Sequence, residues 1–129
     1  MSSVGFALQK AIYSALDAAL SVSVYDDVPE GAAYPYVTLS GEEVADASAL
    51  NSERTRRVVY LTVWSAYAGQ REVKNIIGDI RAALHNRRLA LDVGRLAMLY
   101  VAGESVTPDP DGRSYMGRVT LQAMVTHGA

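Results

Sequence analysis

Cysteine is absent from the 129-residue sequence, and histidine and proline are scarce, with two and four copies. Without cysteine the chain can form neither disulfides nor thiolate metal sites, and it tolerates a reducing compartment. The longest apolar run, at residues 96–102, is far shorter than the roughly 20 residues that cross a bilayer. No segment near residue 1 combines a basic start with an apolar stretch, as a secretory signal does. The sequence predicts a soluble protein with no membrane partner, cytoplasmic when it is made.

Catalytic motifs are missing as well. The sequence contains no Gly-rich phosphate loop, no HExxH and no GxSxG. His85 is predicted at a helix end and His127 in a tail, and neither has carboxylate and hydroxyl partners nearby in sequence. The adjacent carboxylates at 26–27 and 42–43 point to opposite sides of an extended chain, so they form no dyad. Residues 109–112 lack the later ligands of a calcium loop and predict a turn. We therefore expect no enzyme activity, cofactor or metal.

Charge is unevenly distributed along a chain whose length suits one domain spanning residues 1–129. Residues 1–53 hold eight acids and one base, and residues 54–129 hold eleven bases and six acids, for a net charge of −2. One interpretation is that these charges pair within a single molecule. The other is that an acidic face and a basic face meet on neighbouring copies. The acidic balance argues against a nucleic-acid binder.

Residues 54–84 form the central unit of the predicted fold. Alternation over residues 58–64 predicts a buried strand. Residues 70–84 show apolar side chains at helical spacing, and a first amphipathic helix is predicted over residues 4–19. Further strands are predicted at 21–25, 36–40, 96–102 (buried on both faces) and 115–126. The expected fold class is α+β, a mostly antiparallel β-sheet of four to five strands with two helices packed on one face.

Two segments are predicted to lack regular structure. Residues 41–53 are polar and without a strong period, which predicts a mobile loop that becomes ordered against a partner. The segment 108–112 contains two prolines and a glycine and predicts a turn.

The sheet face opposite the two helices is predicted to carry aromatic, threonine and arginine side chains. Such a mixture fits a protein–protein interface, although antiparallel sheets often leave one semi-polar face in water. The candidate subunit or partner interface comprises Glu42, Glu43, Asp46, Arg54, Arg56, Arg57, Tyr60, Trp64, Tyr100 and Arg118.

Several segments, taken in order, resemble a known family. The chain is similar over nearly its whole length to the tail-completion or tail-terminator proteins of long-tailed phages, which also occur in phage-derived gene transfer agents. The segments that carry the resemblance are residues 8–16, 24–26, 28–39, 63–69, 80–85 and 109–113.

The resemblance implies a non-enzymatic assembly protein. Members of this family form a ring, usually hexameric, on the head-proximal end of the tail tube. The ring ends tube growth and offers a docking surface to head-completion proteins. The implied partners are therefore other copies of the chain, the tail tube protein and a head-completion protein, with DNA passing through the ring without sequence-specific binding.

Two other classes of function stay open at this point. One is a small α+β ligand-binding or regulatory dimer with no assembly role, which a stable dimeric mass in solution would favour. The other is a single-strand nucleic-acid binder that stacks bases on Tyr60, Trp64 and Tyr100 beside Arg118. A salt-dependent shift with an oligonucleotide would favour it.

Overall fold

The computed structural model describes residues 3–110 and 112–128 of the chain. The chain forms one helix, three strands, a second helix and two more strands, and this order matches the predicted one. The elements are α1 (Val4–Ala19), β1 (Ser23–Tyr25), β2 (Tyr36–Asp46), β3 (Arg54–Trp64), α2 (Arg71–Leu84), β4 (Arg95–Pro108) and β5 (Tyr115–Thr126).

The five strands form one sheet in the spatial order β1-β2-β3-β5-β4. β1 pairs with β2 in parallel, and the pairs β2–β3, β3–β5 and β5–β4 are antiparallel. The predicted α+β class with a mostly antiparallel sheet is therefore confirmed.

Both helices contribute to one core against the same face of the sheet. α1 begins where the Ser3 hydroxyl accepts a hydrogen bond from the Phe6 N–H at 3.0 Å, which satisfies one of the free donors of the first turn. Leu8, Ile12 and Leu16 of α1 are fully buried in the cluster that also holds the inward side chains of α2 and of the strands. Neither helix of the described residues has the length and apolar character needed to cross a membrane.

Gly117 sets how closely α2 lies against the sheet. A Cβ atom at this position would sit 2.7 Å from Val73 Cγ1 and 2.8 Å from Ile77 Cδ1. These distances are shorter than any ordinary carbon–carbon contact, so only glycine lets the helix approach β5 this closely.

The prediction of a loop over residues 41–53 is wrong in its first half. β2 continues to Asp46, and residues 41–46 pair with residues 55–60 of β3. A β-bulge between Leu39 and Gly41 shifts the alternation there, and residues 40–46 are all exposed. Neither a continuous period nor a run of apolar side chains marks this half of the strand, so the sequence pattern gives no strand signal there.

The prediction that residues 96–102 are buried on both faces is also wrong. β4 is a longer strand at the edge of the sheet, and Ala97, Met98 and Ala102 are exposed. Register shifts occur between Leu96 and Met98 and between Val101 and Gly103. Bulges of this kind are common at sheet edges, where they interrupt the row of free backbone groups.

The turn predicted at 108–112 begins with Pro108 still in β4, and Asp111 lies outside the described residues. Gly112 has a φ of 74°, and its N–H donates to the Asp109 carbonyl at 2.9 Å. Glycine is favoured at such a position because it has no Cβ to clash.

Candidate subunit interfaces

The open face is the sheet surface opposite the two helices, and it carries Tyr60, Trp64, Tyr100 and Arg118. The pairing places Tyr60 opposite Thr120 and Trp64 opposite Met116, on the side that alternates away from buried Leu61 and Val63. The structure thus puts four of the ten candidate residues on the face where the strand alternation predicts them.

Contacts within the open face hold its large side chains in place. The Arg118 guanidinium lies over the Tyr60 ring, 5.5 Å from its centroid. The Trp64 Nε1–H donates to Thr38 Oγ1 at 3.2 Å, and the Tyr100 hydroxyl donates to Gln122 Oε1 at 2.6 Å. Because contacts within the chain already hold these side chains, they would lose little further conformational entropy if a partner covered them.

Arg54 and Arg56 lie on the same open face but at its other end, four or more residues along β3 from Tyr60. Thr126 pairs with Arg54 on one side and with Arg95 on the other, so these cations form a basic end of the sheet. Arg56 is exposed. The Arg54 Nε atom is buried and has no hydrogen-bond partner among the described residues.

The Arg57 side chain lies on the opposite side of the sheet from Arg54 and Arg56. It points to the helix side of β3, is buried, and donates from Nη1 to Glu42 Oε2 at 3.2 Å and from Nε to Thr55 Oγ1 at 3.1 Å. Glu42 and Arg57 are consequently partners within one chain, and Arg57 has little surface left to offer to another copy.

The remaining two candidates, Glu43 and Asp46, are exposed on β2. Glu43 lies opposite Val58, and Asp46 accepts a hydrogen bond from Ser48 Oγ at 2.7 Å. The ten candidate residues therefore do not form one patch: the structure brings together Tyr60 with Arg118 and Glu42 with Arg57, and it separates Trp64 from Arg54 by the length of β3.

One ion pair within the chain partly neutralises its charge asymmetry. Glu42 of the acidic half pairs with Arg57 of the basic half, whereas the pair of Lys10 with Asp92 joins a base of the first half to an acid of the second and does not reduce the asymmetry. Among the described residues, Asp26, Asp27, Arg54 and Arg56 show no ion pair. Pairing within the molecule thus accounts for some of the charges of the described residues and not for all of them.

A tyrosine cluster lies at the end of the sheet near Trp64. The Tyr34 and Tyr36 rings stack with centroids 5.3 Å apart, and Tyr25 meets Tyr36 edge-on at 5.5 Å. Burial raises the pKa of Tyr36 above its usual value, and the nearby Tyr34 raises it further. Tyr34 remains 54% exposed, so the cluster continues the aromatic character of the open face to the end of the molecule.

Sequence reasoning missed the hairpin tip, residues 47–53, which joins β2 to β3. Leu50 at its apex is 93% exposed, and Asn51 has a φ of 64°. One signal was available: a single leucine stands in a polar segment directly before asparagine, a residue that tolerates left-handed turn conformations.

A second missed feature is the α1–β2 pocket, a cavity of about 230 Å³ between α1 and the bulged part of β2. Its lining is mixed: aliphatic side chains form one part of the wall, and polar side chains, including the exposed Asp26 and Glu42, form the other. The aliphatic lining residues are Leu8, Ile12, Leu39 and Val59, and the other polar ones are Gln9 and Ser40. Because the pocket forms between elements distant in sequence, no local pattern marks it.

In this cysteine-free chain, metal ions would be held chiefly by histidine, aspartate and glutamate side chains. Over residues 3–110 and 112–128, no three such side chains gather closely enough to bind one.

Comparisons with known proteins show which family the chain belongs to. The profile of the tail completion protein gp17 family matches residues 8–126. The chain also resembles a chain in the solved structure described as the virion of a native gene transfer agent (GTA) particle. The two are 28% identical, with a TM-score of 0.87, over 98% of this chain and 99% of that one. A comparison with curated proteins found no match. Since the profile spans nearly the whole sequence, the chain belongs to the family of the tail completion protein gp17, a family of phage tail structural proteins and not of enzymes.

Proposed function

We propose that this protein forms a hexameric ring that caps the head-proximal end of a phage-type tail tube. The observation that carries the proposal is the likeness over 98% of the chain to a component of a gene transfer agent virion. A match over the full length of both chains supports a shared role in the particle more strongly than a match to an isolated segment would.

The ring acts by geometry and mass action. Copies associate weakly in solution, and the end of the tube templates closure of the ring. The closed ring covers the last layer of tube subunits, so further subunits cannot add. Its opposite surface receives the head-completion protein, and DNA passes through the centre without sequence-specific contacts.

Two features of the molecule support this role. The open face offers ordered aromatic and cationic side chains that neither helix covers. Such surfaces are typical of protein–protein interfaces. Among the described residues, Asp26 and Asp27 after β1 and Arg54 and Arg56 at the other end of the sheet make no ion pair, and oppositely charged groups on separate surfaces favour head-to-tail contacts between copies, which close into rings.

The test is removal of the protein from a strain that makes the particles. We expect tails of uncontrolled length, or heads without tails, in electron micrographs of the lysate, because nothing stops the tube or joins it to the head. Supplying the wild-type chain from a plasmid should restore normal particles. Tails of normal length that are joined to heads in its absence would refute the proposal.

Purified protein gives an independent check on the ring. Native mass measurement over a range of concentrations, alone and with tube ends added, should reveal a hexamer that tube ends promote. A stable dimer with no larger species under any of these conditions would favour the ligand-binding alternative instead.

A further inference from the structure

The apex of the hairpin tip carries a leucine whose side chain is hardly covered by its own chain. Leu50 is 93% exposed, and the two hydrogen bonds between Ala49 and Ser52, both 2.9 Å, close a two-residue turn around it. The turn holds the Leu50 side chain outward at the end of the β2–β3 hairpin. Removing an aliphatic side chain from water is favourable, so a partner that covers Leu50 gains a stabilising contact.

The α1–β2 pocket has an aliphatic part that suits a leucine side chain. β1 pairs with β2 only as far as Thr38, so the outer edge of β2 beyond Thr38 has no neighbouring strand among the described residues. Leu8 and Ile12 of α1 line the pocket together with Leu39 and Val59. The cavity of about 230 Å³ also has polar lining residues, among them Asp26, so it combines an apolar surface with acidic groups.

Leu50 cannot reach the pocket of its own chain. Glu42 at the pocket rim and Leu50 lie on one strand and its turn, eight positions apart. At roughly 3.3 Å per residue this separates them by about 25 Å along the hairpin. The occupant must therefore come from another molecule, and a second copy carries the fitting leucine.

Charge favours the same pairing. Beside the tip, Arg56 is exposed and Arg54 has a buried Nε without a hydrogen-bond partner, and neither makes an ion pair among the described residues. At the pocket rim, Asp26 is exposed and also lacks an ion pair within that part of the chain. Of the acids near the tip, Asp46 accepts a hydrogen bond from the neutral Ser48 hydroxyl, and Glu53 lies 3.8 Å from His127.

We propose that Leu50 of one copy inserts into the α1–β2 pocket of the next copy, with Arg56 facing Asp26 across the contact. The inference rests on the proposed function and supplies the contact between ring subunits. Because the tip and the pocket are different surfaces of the chain, the contact is head-to-tail and repeats from copy to copy. A closed ring uses every tip and every pocket.

The absence of cysteine allows a direct test by disulfide formation. Leu50→Cys is made in one tagged population of full-length chain and Asp26→Cys in another, and the two are mixed under ring-forming conditions and oxidised. We expect a disulfide between the two tags, because the two Cα atoms come within bonding range of about 4.4–6.8 Å. The matched control pairs Leu50→Cys with Asn75→Cys, an exposed position on α2, and should give no such product.

A second variant measures what the contact contributes to assembly. Leu50→Asp should lower the fraction of ring at a fixed concentration at least tenfold. It should leave the thermal midpoint of the monomer unchanged, because Leu50 is almost fully exposed in its own chain. Tyr67→Asp alters another exposed apolar residue, 48% exposed and away from tip and pocket, and should assemble like the wild type.

The outcomes separate this inference from the proposed function. If wild-type rings form but Leu50→Asp rings form equally well, or the disulfide joins two Leu50→Cys tips, the inference is overturned and the ring proposal stands. A disulfide from Leu50→Cys to a tube or head protein, with none to Asp26→Cys, also overturns it. If the wild type forms no ring, alone or on tube ends, both proposals fail.

Discussion

Arg57 and Glu42 form an ion pair across β2 and β3, with Nη1 and Oε2 3.2 Å apart although the residues are 15 positions apart in sequence. The Arg57 side chain retains 10% of its accessible surface and that of Glu42 33%. The ion pair thus stabilises the pairing of the second half of β2 with β3, where β2 is exposed and has few apolar contacts.

Glu42→Gln should destabilise the protein because it leaves the Arg57 charge buried without a counter-ion. Partial exposure of Glu42 puts the expected cost between that of surface and of buried ion pairs, at about 1–3 kcal/mol. Urea denaturation measures it. Glu43→Gln, the matched change on the exposed neighbour, should cost less than about 0.5 kcal/mol, and equal effects of the two variants would contradict the structural role of the pair.

Gly117→Ala should destabilise the contact between α2 and β5. The added methyl group overlaps Val73 and Ile77, and overpacking of this kind typically costs about 1–3 kcal/mol. Gly78→Ala is the control: Gly78 lies in α2, and a methyl group added there would meet no described atom within 4 Å outside its own helix turn. Alanine there should stabilise the helix by about 0.5–1 kcal/mol. Thermal unfolding should therefore shift in opposite directions for the two variants.

Stability should decline at alkaline pH partly through Tyr36. Its pKa is raised in the folded protein, so the folded state holds this proton at pH values where the unfolded state, with a tyrosine pKa of about 10, has released it. Folding is then increasingly disfavoured as pH rises above roughly 10. Urea denaturation at several pH values should show a shallower decline in the free energy of unfolding for Tyr36→Phe than for the wild type. Tyr13→Phe, at an exposed tyrosine on α1, is the control for the loss of a hydroxyl group. Identical declines for the wild type and Tyr36→Phe would contradict this.

Arg118→Glu should impair docking on the open face without unfolding the protein. Arg118 is exposed, and the change removes a cation–π contact with Tyr60 worth about 0.5–1 kcal/mol. We expect at least a tenfold loss of correctly joined particles, counted by electron microscopy. Lys74→Glu makes the same charge change on exposed α2. If Lys74→Glu is as damaging as Arg118→Glu, the loss is not specific to the open face, and the prediction is contradicted.

The extent of the helices and of β5 could be predicted because their signals are local, whereas β3 begins at Arg54 and not at the predicted residue 58. α1 begins and ends at the predicted residues, and β5 spans the predicted 115–126. The side chains of these elements repeat at the period of a helix or strand that buries one face, so a short window of sequence is sufficient. The face that carries Tyr60, Trp64 and Arg118 followed from the same alternation.

Sequence alone determined the fold class and, through the resemblance, the family. The length of β2, the exposure of β4 and the direction of Arg57 were decided by tertiary structure. One bulge after Leu39 resets the alternation of β2, and only pairing between distant strands decides which strand lies at an edge. The α1–β2 pocket and the isolation of Leu50 likewise exist only after folding, because each depends on which elements cover a surface and which leave it bare.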